Sequence, residues 1–296
     1  MPKKRQSLIW QRRLFIVLLM VSCSFFICLN LSEPHLAKQT TPLKEPMKRA
    51  VALPLPERIS IFAIPKEFEG KVIAETRLPT KEKVIALTFD DGPWPRTTEQ
   101  VLDILKQNDI KATFFWIGKN VKNYPDIAKR VVEDTHVIGN HTWHHWYRHM
   151  DAATATREID DTAAVIYKTT GVKTSLFRPP GGILNNGPAG YAEKHDYAVM
   201  MWSADSRDWF YRRASPSILV NNVLKEAQPG GIVLLHDGGG DRSKTVQALP
   251  EIISGLRQRG YKFVTVPELL ALKDKELKLT TADGVTANAG KQQKVK

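Results

Sequence analysis

Val84-Ile85-Ala86-Leu87-Thr88-Phe89-Asp90-Asp91-Gly92-Pro93 joins an apolar run to two adjacent carboxylates and a Gly-Pro turn. The apolar part predicts a buried strand. Neighbouring strand residues point to opposite faces, so both acids reach one site only if the chain leaves extended geometry beside them, and Gly92-Pro93 permits that. A buried carboxylate pair is costly unless a cation or a shared proton relieves it. A metal is the direct relief, with one carboxylate as its ligand and the other as a base beside it. Taken alone, the same string is equally a solvated turn, so its meaning depends on residues further along the chain.

The deciding cluster is His141-Thr142-Trp143-His144-His145. His141 and His145 are four apart, which on a helix puts both imidazoles on one face at chelating separation. Two imidazoles and one carboxylate form a three-ligand set with positions left for water and substrate. Three more polar segments come after apolar runs. Arg178-Pro179-Pro180-Gly181-Gly182 succeeds Leu176-Phe177, Asp205-Ser206-Arg207-Asp208-Trp209 succeeds Val199–Trp202, and His236-Asp237 ends Ile232–Leu235. Between these runs lie helical patterns at 97–107, 125–133, 153–169, 217–227 and 244–259, and a last strand is expected at 262–266. Regular alternation of strand and helix argues for an α/β fold with a parallel sheet, whose strand ends form the catalytic face.

The five segments, in this order, resemble the signature of the polysaccharide deacetylase family, the NodB-homology enzymes or carbohydrate esterase family four. The resemblance covers roughly residues 83 to 272. It implies a distorted (β/α) barrel of about seven parallel strands. It makes Asp91, His141 and His145 the metal ligands, Asp90 the general base, Arg178 the residue that orients Asp90, and His236 the general acid held by Asp208. The metal is expected to be divalent, with zinc the default for this donor set and cobalt, manganese or iron also suited to it. The backbone N–H of Gly181 is implied as an oxyanion donor, and Trp209 and Leu234 as the wall around the acetyl methyl group. The family commonly has an aromatic residue where this chain has Gly181, so a ring that would touch substrate is missing there. Asp205 is read as a helper or turn former, and His144 and His149 as solvent-facing or supporting residues. Trp94, Trp143 and Trp146 stay open between sugar stacking and ordinary packing.

The expected activity is hydrolysis of N-acetyl groups on an N-acetylglucosamine-containing polysaccharide, peptidoglycan or an exopolysaccharide, with release of acetate. Chitin oligomers are a further candidate substrate. Two other readings remain: an O-acetyl esterase of the xylan type, and a catalytically dead, membrane-tethered glycan-binding module.

Charge and hydropathy organise the rest of the chain. Net charge is +12, yet residues 1–50 carry +7 and residues 273–296 carry +3, which leaves 51–272 nearly neutral. A nucleic-acid binder concentrates basic charge on its folded domain, so no nucleic-acid partner is expected. Lys3, Lys4, Arg5, Arg12 and Arg13 instead precede an apolar run from Leu14 to Leu31. Residues 1–31 are read as a cytoplasmic basic stub with an uncleaved signal-anchor, which leaves the catalytic domain outside the membrane; a cleaved signal peptide and secretion is the alternative. Both cysteines, Cys23 and Cys28, lie in that run, so the catalytic region needs no disulfide and offers no thiolate ligand. Residues 32–82 are read as a Pro/Lys-rich linker with short strand-like runs, 83–272 as the catalytic domain, and 273–296 as a disordered basic tail.

Overall fold

The computed structural model describes residues 62–76, 82–210 and 215–278. The N-terminal apolar run, most of the linker and the end of the tail lie outside the described residues. No helix among the described residues is long and apolar enough to cross a membrane.

Among the described residues, nine strands form one sheet. They are β1 (Val72–Ile73), β2 (Val84–Asp90), β3 (Thr113–Trp116), β4 (Val137–Asn140), β5 (Leu176–Phe177), β6 (Ala198–Met200), β7 (Ala204–Asp205), β8 (Gly231–His236) and β9 (Lys262–Val264). The hydrogen-bonded order is β1-β6-β5-β4-β3-β2-β8-β7, with β9 added to β2, and every pairing between these strands is parallel. β2 is buried along its whole length. Its unbroken apolar run is what a parallel strand covered on both faces requires.

β6 and β7 are one run broken at 201–203. Because β6 pairs with β5 and β7 pairs with β8, this run brings the two ends of the order together. The Ser203 N–H donates to the Ile232 carbonyl at 3.0 Å across the break. β1 wedges in beside β6, and Glu75 just beyond it bridges to Gly231. The result is the expected distorted barrel, incompletely closed, with its irregularity at the broken strand.

The helices pack outside. They are α1 (Thr97–Gln107), α2 (Gly118–Asn123), α3 (Pro125–Glu133), α4 (Ala152–Thr170), α5 (Pro188–Lys194), α6 (Pro216–Glu226) and α7 (Ser243–Gln258). α1 buries Val101, Leu102 and Leu105 at helical spacing. Pro125 opens α3 at a position where a missing N–H costs nothing. Asp151 caps α4 by accepting the Thr154 N–H at 2.7 Å, and Gly171, at φ 76°, ends it. An eighth helix covers 266–278, so ordered structure runs past residue 272, where the disordered tail was expected to begin. Val266, Leu269 and Leu270 are buried in the core, which anchors its first turns.

Candidate active site

The parallel register puts the polar segments on one rim. Asp90, the last residue of β2, pairs with His236, the last of β8; Asp205, the last of β7, pairs with Leu234; and Asn140 at the end of β4 pairs with Phe177 just before Arg178. All five sequence segments therefore meet at the C-terminal ends of the strands, around a cavity of about 530 Å³. Asp90, Asp91, His141, His145, Gly181, Trp209, Leu234 and His236 all line it.

The two acids share the site because the chain turns out of the strand between them: Asp91 has φ 76°. Its backbone carbonyl is held by the Asn120 side-chain amide at 2.8 Å. The histidine pair is brought together differently from the expected helical spacing. Residues 141–150 are a loop, not a helix. Thr142 and His145 take positive φ values of 65° and 62°, and the Thr142 hydroxyl accepts the His145 N–H at 3.1 Å. The turn leaves the two rings 4.8 Å apart. A β-branched residue at positive φ is strained, and such strain concentrates at functional sites.

Asp91 Oδ1 lies 3.1 Å from His145 Nε2 and 3.6 Å from His141 Nε2. That oxygen is buried and has no hydrogen-bond donor. Burial alone would raise the Asp91 pKa, but the imidazoles of His141, His236 and His145 overcome it and hold the carboxyl well below the usual range. Burial, then His141, lowers His145 to about 4, so its ring is neutral at physiological pH. His141 Nδ1 is 2.7 Å from the Arg178 carbonyl, which can only accept. The Nδ1 proton is thereby fixed, and Nε2 is the ring nitrogen left facing Asp91. An anionic oxygen without a donor and two imidazole nitrogens within 4.8 Å of one another fit a divalent cation.

Asp90 lies on the other side of this trio, with Oδ2 3.8 Å from His141 Nε2. Its Oδ1 receives Arg178 Nη1 at 2.8 Å. Arg178 is fully buried and also donates to the Thr88 hydroxyl (2.8 Å), the Met200 carbonyl (3.0 Å) and the Met201 carbonyl (3.1 Å). Its guanidinium lies 4.1 Å from the centre of the Phe115 ring. Burial lowers the Arg178 pKa, partly offset by Asp90. One side chain thus holds the Asp90 carboxylate and ties down the chain where β6 enters the break.

His236 and Asp208 form the second charged pair, Nδ1 to Oδ1 at 2.6 Å. Asp208 Oδ2 also accepts the His236 backbone N–H at 2.8 Å and the Thr245 hydroxyl at 2.7 Å. Burial works against a charged imidazole, but Asp208 outweighs it and pushes His236 up to about 9. Asp208 is correspondingly lowered, chiefly by His236 against the cost of its own burial. Leu234 is buried in the cavity floor, and Trp209 is half-exposed at its edge. Asp205 accepts the Arg207 N–H at 2.7 Å and faces the cavity. His149 is exposed.

Several site residues carried no readable signal in the sequence. Glu158 of α4 is buried and accepts the N–H groups of Trp143 and His144 at 3.0 and 2.9 Å, with His144 Nδ1 at 2.5 Å from its other oxygen. It fixes the loop that carries both histidines. Arg242 spans the Asp91 and Asp208 sides: Nη2 is 3.7 Å from Asp91 Oδ2, Nη1 donates to the Asp208 carbonyl at 3.3 Å, and Nε donates to the Gly238 carbonyl at 2.6 Å. Gly239 must be small there, because a Cβ would collide with Asp91 Oδ2. Asp237, beside His236, is buried against Thr98 (2.5 Å) and Trp116 (3.2 Å); burial, with Asp91 and Asp90 nearby, pushes it up to about 7. Tyr147 stands over Gly181.

A barrel rim with a cation-fitting trio, a carboxylate on one side and a protonated imidazole on the other defines a metal-assisted acyl hydrolase. Comparison with known proteins narrows this class. A family model described as polysaccharide deacetylase matches residues 77–200. A peptidoglycan-N-acetylglucosamine deacetylase of Bacillus cereus is 45% identical over 213 residues, which is 70% of this chain and 98% of that protein. The crystal structure of a peptidoglycan N-acetylglucosamine deacetylase in complex with a substituted N-oxidanyl-benzamide matches with a TM-score of 0.63 at 35% identity, covering 69% of this chain and 94% of that one. A family 4 acetyl xylan esterase from Clostridium thermocellum, in complex with a cobalt ion, matches with a TM-score of 0.59 at 35% identity, covering 64% and 91%. The chain belongs to the polysaccharide deacetylase family, and it is a hydrolase of the polysaccharide N-deacetylase class.

Proposed function

We propose that this protein removes N-acetyl groups from the N-acetylglucosamine units of peptidoglycan and releases acetate, with zinc held by Asp91, His141 and His145. The observation that carries the proposal is one cavity in which the trio Asp91, His141 and His145 lies with two buried ion pairs, Asp90–Arg178 and His236–Asp208. The sequence similarity to the B. cereus enzyme supports the choice of polymer.

A divalent ion at the trio would lower the pKa of a bound water and polarise the acetyl carbonyl. Asp90, oriented by Arg178, takes the proton as the water oxygen forms its bond to the carbonyl carbon. The Gly181 N–H faces the oxygen that becomes negative. His236 passes its proton to the sugar nitrogen as the carbon–nitrogen bond breaks, so the amine leaves neutral and the acyl carbon departs as acetate. Leu234 and Trp209 enclose the methyl group. We further propose that the N-terminal apolar run tethers the domain at the outer face of a membrane, next to such a polymer.

The test is acetate release by the zinc-loaded full chain from peptidoglycan, N-acetylglucosamine oligomers and acetylated xylan. Release from an N-acetylated glycan supports the proposal. Release from acetylated xylan alone would instead make the chain an O-acetyl esterase, and release from none would return it to a binding module.

The acid assignment has its own consequence. His236 donates only while protonated, so activity that depends on it is present below its folded pKa and lost above. In Asp208→Asn the opposing carboxylate charge is gone and burial pulls the imidazole pKa down. The alkaline limb of kcat/KM is expected to move about 1–3 units toward lower pH. A pH–rate profile checks this, and an unmoved alkaline limb would remove His236 from the mechanism.

A further inference from the structure

Tyr147 lies two residues beyond His145 and belongs to none of the five segments. Its ring stands edge-on to the His145 ring, with centroids 5.1 Å apart and planes at 83°. On its other side is Gly181, contributed by the β5 strand end. A Cβ on Gly181 would sit 2.8 Å from Tyr147 Cε1 and 3.1 Å from Cδ1, closer than side-chain carbons approach. Two segments distant in sequence are therefore fitted to each other: the ring at 147 occupies the volume that a side chain at 181 would take. Gly181 also has φ 61°, a conformation glycine adopts without strain.

The ring is not buried by this contact. Tyr147 is 59% exposed and lines the cavity, as does Trp209 at 49%. An exposed aromatic face in a polar cavity offers an apolar platform with a polar tip, the kind of surface that engages a ligand apolar on one side and hydroxylated on the other. The phenol hydroxyl can donate to a ligand oxygen as well as accept from one.

We propose that Tyr147 is a substrate-contacting residue that sets sugar affinity: its ring packs against the N-acetyl sugar beside the Gly181 N–H, its hydroxyl donates to a sugar oxygen, and Gly181 is small to make room for it. This rests on the deacetylase reading above and adds the residue that holds the sugar. The ring missing from position 181 is, in this arrangement, supplied from position 147.

The alternative role for Tyr147 is to brace His145 alone, and the two roles move different quantities. The full-length zinc protein and its Tyr147→Ala, Tyr147→Phe, Gly181→Ala and Tyr147→Ala/Gly181→Ala variants would be compared on N-acetylglucosamine oligomers. Zinc affinity would be measured by calorimetry, and oligomer binding would be measured in the turnover-blocked Asp90→Asn background. Tyr147→Ala is expected to raise KM and weaken oligomer binding about tenfold, with zinc affinity within about twofold of the parent. Tyr147→Phe should fall between. Gly181→Ala should weaken binding in the parent by displacing the ring, and much less in the Tyr147→Ala background, where no ring is left to displace. Unchanged KM and oligomer binding in Tyr147→Ala, a loss confined to zinc affinity, or independent effects of the two substitutions would each overturn the proposal. Oligomer binding that depends on Tyr147 without acetate release from the parent would sink the deacetylase reading and leave this one standing; a parent that binds no oligomer would sink both.

Discussion

Asp90→Asn is expected to lower kcat by about 10²–10⁴-fold, the usual worth of a positioned general base, while the protein keeps its fold and its metal. The physical reason is local. An asparagine oxygen can still accept the Arg178 Nη1 hydrogen bond, now made at 2.8 Å, so the guanidinium keeps an acceptor. The trio that fits a cation is Asp91, His141 and His145, none of which changes. What disappears is the lone pair that takes a proton at the trio's edge. Acetate release measured alongside zinc content separates these effects. Full turnover in Asp90→Asn, or loss of zinc with it, would show that Asp90 has a different role.

The second large effect is on stability. Arg178 is a fully buried cation with four acceptors: Asp90, Thr88 and the carbonyls of Met200 and Met201. In Arg178→Met the volume is roughly kept but Asp90 becomes a buried carboxylate without its cation. Removing one partner of a buried pair costs about 3–5 kcal/mol. The two carbonyls at the break between β6 and β7 also lose their donor, so the cost should fall in the part of the barrel that closes the ring. Arg178→Lys keeps the charge but cannot reach four acceptors with a planar fork, and it should recover only part of the loss. Equilibrium denaturant unfolding measures both. A loss below about 1 kcal/mol for Arg178→Met, within the range of an exposed ion pair, would mean that the guanidinium is not a structural tie.

Much of this site was legible in the sequence because its parts are local. Val84–Asp91 reads as a buried strand ending in acids because every residue of that run is covered, so no polar face breaks the pattern. The bend that lets Asp90 and Asp91 share a site falls beside Gly92-Pro93, and the φ of Asp91 bears it out. His141 and His145 were legible as a pair but not as a loop. Spacing of four fits a helix, and the turn that replaces it depends on positive φ at Thr142 and His145, which a β-branched threonine argues against and a histidine signals only weakly. The short elements β7, α2 and α5 are below the length at which periodicity speaks. Glu158 looked like an ordinary charged helix residue, and Arg242 lay in the loop before the helix expected at 244–259; only the docking of α4 and of the start of α7 against the rim buries them. The fit of Tyr147 to Gly181 was illegible for the same reason, since it exists only once two strand-end loops meet.

Hydrolysis is expected to depend on one divalent ion at Asp91, His141 and His145. The most direct measurement is acetate release from N-acetylated peptidoglycan by chelator-stripped full-length protein as zinc is added back, with Asp91→Ala beside it. The expected result is no release from the stripped protein, a rise that levels off at about one zinc per chain, and neither tight binding nor release in Asp91→Ala. Release that survives the chelator, or full activity in Asp91→Ala, would contradict it.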